Sequence, residues 1–85
     1  MKQFVYTIRD ELGMHARPAG LFVKKASEFK SIVTLDNGQK KGDGKKIMSL
    51  MMMAIKKGQE VTVTVEGEDE EEASKVLEAF LTENL

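Results

Sequence analysis

Glu60-Val61-Thr62-Val63-Thr64-Val65-Glu66-Gly67 alternates valine with a polar residue, and that period decides the fold. Successive side chains of a strand point to opposite faces, so Val61, Val63 and Val65 share one face, with Thr62, Thr64 and Glu66 on the other. Such a sheet needs cover on its apolar side only, and helices elsewhere in the chain can supply it. Downstream, Asp69 and Glu70 to Glu72 favour a helix start, because acidic groups complement the N-terminal end of the macrodipole. Ala73, Val76, Leu77, Phe80 and Leu81 then recur at helical spacing. The acidic run therefore reads as capping and solvation, not as a metal site.

Upstream, Lys56-Lys57-Gly58 reads as the end of a second helix, with cations in its last turn and glycine beyond. That helix, Ile47 to Ile55, is too apolar for an ordinary surface helix. Leu50, Met53 and Ala54 can share its buried face, which leaves Ile47, Met48, Met51 and Met52 toward solvent or a groove. Earlier still, Ser31 to Leu35 reads as a strand, and Asp36-Asn37-Gly38 as a hairpin turn into a short strand near Gln39 to Gly42. Residues 2–9 alternate, with Phe4, Tyr6 and Ile8 on the better-buried side. The order is βαββαβα: an α+β domain covering residues 1–85, with three helices on one face of a four-stranded antiparallel sheet.

The first helix opens at Gly13-Met14-His15-Ala16-Arg17-Pro18-Ala19, which holds the chain's single histidine and single proline. Gly13 lets the chain turn sharply out of the first strand. Pro18 suits a first helical turn, where its missing N–H leaves nothing unpaired. Ala19, Phe22, Val23 and Ala26 form the apolar stripe of a helix from about Ala16 to Ser27. His15 thus stands at a helix mouth whose unpaired N–H groups, with Ala16 near the first helical position, favour an anion. Arg17 adds a fork of donors suited to phosphate oxygens, and a ring nitrogen beside them can carry a phosphoryl group covalently. A lone histidine at a helix start is otherwise a polar cap; Gly13, Arg17 and Pro18 lift this one above that reading.

Composition sets bounds. With no cysteine there is no disulfide or thiolate metal site, and one histidine builds no imidazole cluster. No apolar run approaches the ~20 residues of a membrane span, and Met1-Lys2-Gln3-Phe4 opens no signal peptide. A soluble cytoplasmic protein, without membrane insertion, is the expectation. The net charge of -1 conceals a division: residues 14–57 hold ten Lys or Arg against three acids, a balance of +7, while residues 58–85 hold one Lys against nine acids, a balance of -8. The half bearing His15 is basic, which steers acidic partners or phosphate groups toward it.

The stretch Gly13 to Ala19 resembles the phosphorylation-site motif of HPr, the histidine-containing phosphocarrier of the bacterial sugar phosphotransferase system, and the likeness runs the length of the chain. The resemblance implies the open-faced β-sandwich of that family. It implies a phosphoryl relay without cofactor or metal, in which His15 accepts from the phosphohistidine of enzyme I and gives to enzyme IIA domains of sugar permeases. The chain would then be a carrier rather than an enzyme. The family uses Nδ1 of the ring, so Ala16 and Arg17 would hold the phosphate beside it, and His15 should be exposed. Because methionine is flexible and polarisable, Ile47, Met48, Met51 and Met52, with Met14 and Phe22 nearby, would make the partner patch on a monomer.

The chain also departs from the family. Where many members carry a regulatory serine, this one has Lys46, so the kinase switch should be missing. Leu12 replaces a usual small polar residue and Gly20 a frequent threonine. Two rivals stand beside the relay. The order βαββαβ also occurs in RNA-recognition folds, but those sheets stack bases on aromatic residues that the inner strands lack here, so no nucleic acid is expected. The other rival is a regulatory adaptor that binds partners without carrying flux.

Overall fold

The computed structural model describes residues 1–85, and its elements follow in the order β1 (Lys2–Thr7), α1 (Ala16–Ala26), β2 (Ile32–Asp36), β3 (Lys41–Asp43), α2 (Ile47–Met52), β4 (Glu60–Glu66) and α3 (Glu70–Asn84). The sheet runs β1-β4-β2-β3, with every pairing antiparallel. The valine-threonine strand β4 lies inside it. Val63 faces Phe4 on one side and Leu35 on the other, and Val65 faces Lys2 and Val33. All three β4 valines are buried. On the face left uncovered, Val5 and Ile32 are exposed.

The helices cover the valine side. Ala19, Phe22 and Ala26 of α1 and Ala73, Leu77 and Leu81 of α3 are fully buried, in one continuous apolar cluster with Val33, Leu35 and Leu50. Phe22 meets Phe80 edge-on, with ring centroids 5.9 Å apart, which locks α1 against α3. Full burial of a side chain of this size contributes about 1.5–3 kcal/mol, so this stripe, more than helix propensity, holds α1 in place.

The first strand ends at Thr7 rather than at residue 9 and the second runs one residue later than Ser31 to Leu35, but the larger departures are in the third strand and the second helix. The third strand lies at Lys41–Asp43, slightly beyond Gln39 to Gly42. The second helix stops at Met52, three residues short of Ile55. Its last carbonyls are taken from outside: Asn37 Nδ2 donates to Met53 O at 3.1 Å and Lys40 Nζ to Met52 O at 3.4 Å. Ala54 then adopts a φ of +52°, which turns Ile55 back into the core and leaves Ala54 exposed instead of buried. Lys56-Lys57-Gly58 is accordingly the turn into β4, where the Gly58 N–H donates to Ile8 O at 2.8 Å.

The acidic start of α3 also behaves differently. Asp69 precedes the helix without capping it. Its carboxylate accepts instead from the Lys30 N–H, the Ser31 N–H and the Ser31 hydroxyl.

Candidate functional site

Gly13 positions the histidine. Its φ is +65°, and a Cβ there would run into Ile55 O and stand 2.8 Å from Lys56 Cα. Only glycine lets the loop press so closely on the segment after α2, a contact completed by the Met14 N–H donating to Ile55 O at 3.0 Å. His15 follows as the residue flanking α1, with an extended backbone and no capping bond from its side chain. Helical bonding starts with the Ala19 N–H donating to His15 O at 3.0 Å. Pro18 has no N–H to offer, and the amides of Ala16 and Arg17 find no acceptor in the protein. Two donors and the positive helix end therefore converge beside the ring.

The ring is 37% exposed. It shares a cleft of about 260 Å³ with Asp10, Arg17, Pro18, Leu21 and Asn84. The two arginines differ sharply in their availability. Arg9 donates to Tyr6 Oη at 3.1 Å and to Thr82 O at 2.7 Å, so its guanidinium fastens α3 to the end of β1. Arg17 enters no ion pair and is exposed, free to meet an oxyanion in the cleft. A larger hollow of about 660 Å³ lies elsewhere, among Thr7, Asp36, Asn37, Glu60 and Thr62, and neither histidine nor arginine lines it.

Beside the cleft, Ile47 is 39%, Met48 69% and Met52 70% exposed. Ile47 Cδ1 lies 3.5 Å from the point where a Cβ on Gly20 would stand, so α2 abuts the helix that carries His15. Met51 is half-buried and packs on the core. Met14 and Phe22 need correction as partner-facing residues. Met14 is 4% exposed, drawn in by the Ile55 contact, and Phe22 is wholly enclosed against Phe80. Leu21 at 45% and Leu12 at 72% are the apolar side chains that do reach the surface here. Leu21 falls off the buried stripe of α1, and that spacing was the signal for it.

Asp10 lines the same cleft, though the sequence does not mark it. Its Oδ1 lies 3.9 Å from His15 Nε2 and accepts from the Leu12 N–H at 2.8 Å. No spacing rule brings a turn residue across to a ring five positions on.

A half-exposed histidine at a helix mouth, on a sheet covered on one face, has the chemistry to carry a phosphoryl group, and the comparisons narrow the class. Residues 2–83 match the family model described as the PTS HPr component phosphorylation site. The chain is 42% identical over 77 residues to the phosphocarrier protein HPr of Mycoplasma capricolum, covering 91% of this chain and 86% of that one. It is 44% identical over all 85 residues to the HPr-like protein Crh of Bacillus subtilis, covering both chains fully. The solved histidine-containing phosphocarrier protein from Mycoplasma superposes with a TM-score of 0.94 at 38% identity, over 96% of this chain and 93% of that one. The chain belongs to the HPr family, which comprises phosphocarrier proteins rather than catalytic enzymes and takes in the HPr-like protein Crh as well. The expectation of a monomer finds no support: a similar chain, 40% identical with a TM-score of 0.77 over 98% of this chain and 95% of that one, is an HPr dimer from Thermoanaerobacter tengcongensis. No helix is long and apolar enough to cross a membrane.

Proposed function

We propose that this chain takes a phosphoryl group onto Nδ1 of His15 from the phosphohistidine of enzyme I and passes it to enzyme IIA domains of sugar permeases. It does so as a single domain working in the cytoplasm. The observation that carries the reading is the half-exposed ring beside the unpaired amides of Ala16 and Arg17 and the unengaged Arg17 guanidinium. These groups are aimed where charge gathers on the transferring oxygens, which is the protein's main task in phosphoryl transfer. The open cleft suits a carrier, because a site that held its phosphate too well would stop the return step. Ile47, Met48 and Met52, with Met51 beneath them, supply the docking face.

A regulatory adaptor is the second reading, since the similar chains include one named Crh. The presence of His15 favours transfer, and Lys46 disfavours an adaptor switched at that position. Incubation with enzyme I and phosphoenolpyruvate, followed by mass spectrometry, tests the proposal. Phosphorylation of the wild type and none of His15→Ala is the expected result; label on the variant, or none on the wild type, overturns it.

A further inference from the structure

Asp10 faces the His15 ring from the side opposite the proposed phosphoryl acceptor atom. Its Oδ1 lies 3.9 Å from Nε2, within ion-pair range though longer than a hydrogen bond. The carboxylate is no loose surface group. Oδ1 accepts the Leu12 N–H at 2.8 Å, the Asp10 N–H donates to Leu85 O at 2.9 Å, and Asp10 O accepts the Gly13 N–H at 3.0 Å. Main-chain bonds on both sides therefore fix where the negative charge sits.

We infer that Asp10 is a positioning residue for His15: it holds the ring proton on Nε2, so that the lone pair on Nδ1 is the one presented, and it offsets the positive charge the ring acquires on loading. The second half of this inference rests on the proposed function. In the loading step the Nδ1 lone pair forms the new N–P bond while the donor's N–P bond breaks, its electron pair returning to the donor nitrogen. The Nε2 proton does not move. A neutral ring thereby becomes a phosphoimidazolium cation, and a fixed carboxylate at Nε2 favours both the starting tautomer and the cation, as a carboxylate behind a catalytic histidine does elsewhere. With the two side chains 37% and 31% exposed, water screens the interaction and the effect is modest.

The test is ¹⁵N NMR of the ring at a pH where it is neutral, on wild type, Asp10→Asn and Asp10→Ser. Both variants keep an oxygen for the Leu12 N–H and lose the charge, and backbone amide spectra identify whichever is folded. The wild-type ring should carry its proton mainly on Nε2, and the ratio of Nε2–H to Nδ1–H should fall about threefold in the variants. An unchanged ratio in a folded variant, or a wild-type ring protonated mainly on Nδ1, overturns the inference. This readout needs no donor, so a chain that is never phosphorylated sinks the proposed function without moving it. Normal phosphorylation with an unchanged tautomer ratio sinks the role of Asp10 alone.

Discussion

The Ser31 hydroxyl donates to Asp69 Oδ1 at 2.5 Å, joining the loop after α1 to the entry of α3. Ser31 is fully buried, and Gly67 passes so close that a Cβ on it would stand 2.7 Å from Ser31 Cα. The Ser31 hydroxyl first, and the Lys30 amide after it, hold the Asp69 carboxyl below its ordinary range. A carboxylate whose pKa is lower folded than unfolded stabilises the fold above the unfolded value, and that contribution disappears as pH falls through the folded one. Ser31→Ala should therefore melt below wild type at neutral pH, with the gap narrowing as pH falls below the ordinary carboxylate range. Thermal unfolding across that range checks it, and a gap independent of pH would separate the loss from Asp69 ionisation.

Gly20 lies in the middle of α1, and a methyl there would make only ordinary contact with Ile47 Cδ1. Gly20→Ala should raise stability by about 1 kcal/mol and Tm by about 5 °C, through helix propensity and a less free unfolded chain. Calorimetry decides this. A lower Tm would mean that the two helices are closer than a methyl allows.

Lys46 precedes α2 with extended backbone and offers it no side-chain cap. Lys46→Ser supplies an oxygen for the first turn and removes a cation from the positive helix end, for a gain of about 1 kcal/mol. In a labelling assay with HPr kinase, the wild type should stay unlabelled and the variant should accept phosphate. Labelling of the wild type would show that another hydroxyl serves.

Met48 and Met52 are exposed while Met51 is half-buried, so their substitutions should separate binding from folding. Met48→Gln with Met52→Gln should weaken enzyme I binding about tenfold or more in Kd and shift stability by no more than about 0.5 kcal/mol per site. Met51→Gln should lower stability by about 1–2 kcal/mol. Titration calorimetry beside thermal melts distinguishes the two. Strong destabilisation by the exposed pair would place them in the core.

The sheet and the two long helices were legible because their burial is periodic: the β4 valines, and the stripes of α1 and α3, each state which face turns inward. His15 at the helix mouth was legible because Gly13 and Pro18 mark the turn locally. The end of α2 was not, since Asn37 and Lys40 stop it from a hairpin distant in sequence. Asp69 misled for the same reason, its carboxylate drawn to Ser31 across the fold rather than to its own helix. Phe22 fits both the buried stripe and the expected partner face by spacing, and its packing against Phe80 gives it to the stripe.

The central claim is that His15 is loaded and unloaded, and one two-stage transfer measures it. The chain is charged with enzyme I and labelled phosphoenolpyruvate, purified, and mixed with an enzyme IIA domain. The account predicts that label sits on His15, leaves it for the IIA domain, and that the emptied chain can be charged again. Label that never reaches His15, or that stays there in the presence of the acceptor, would contradict it.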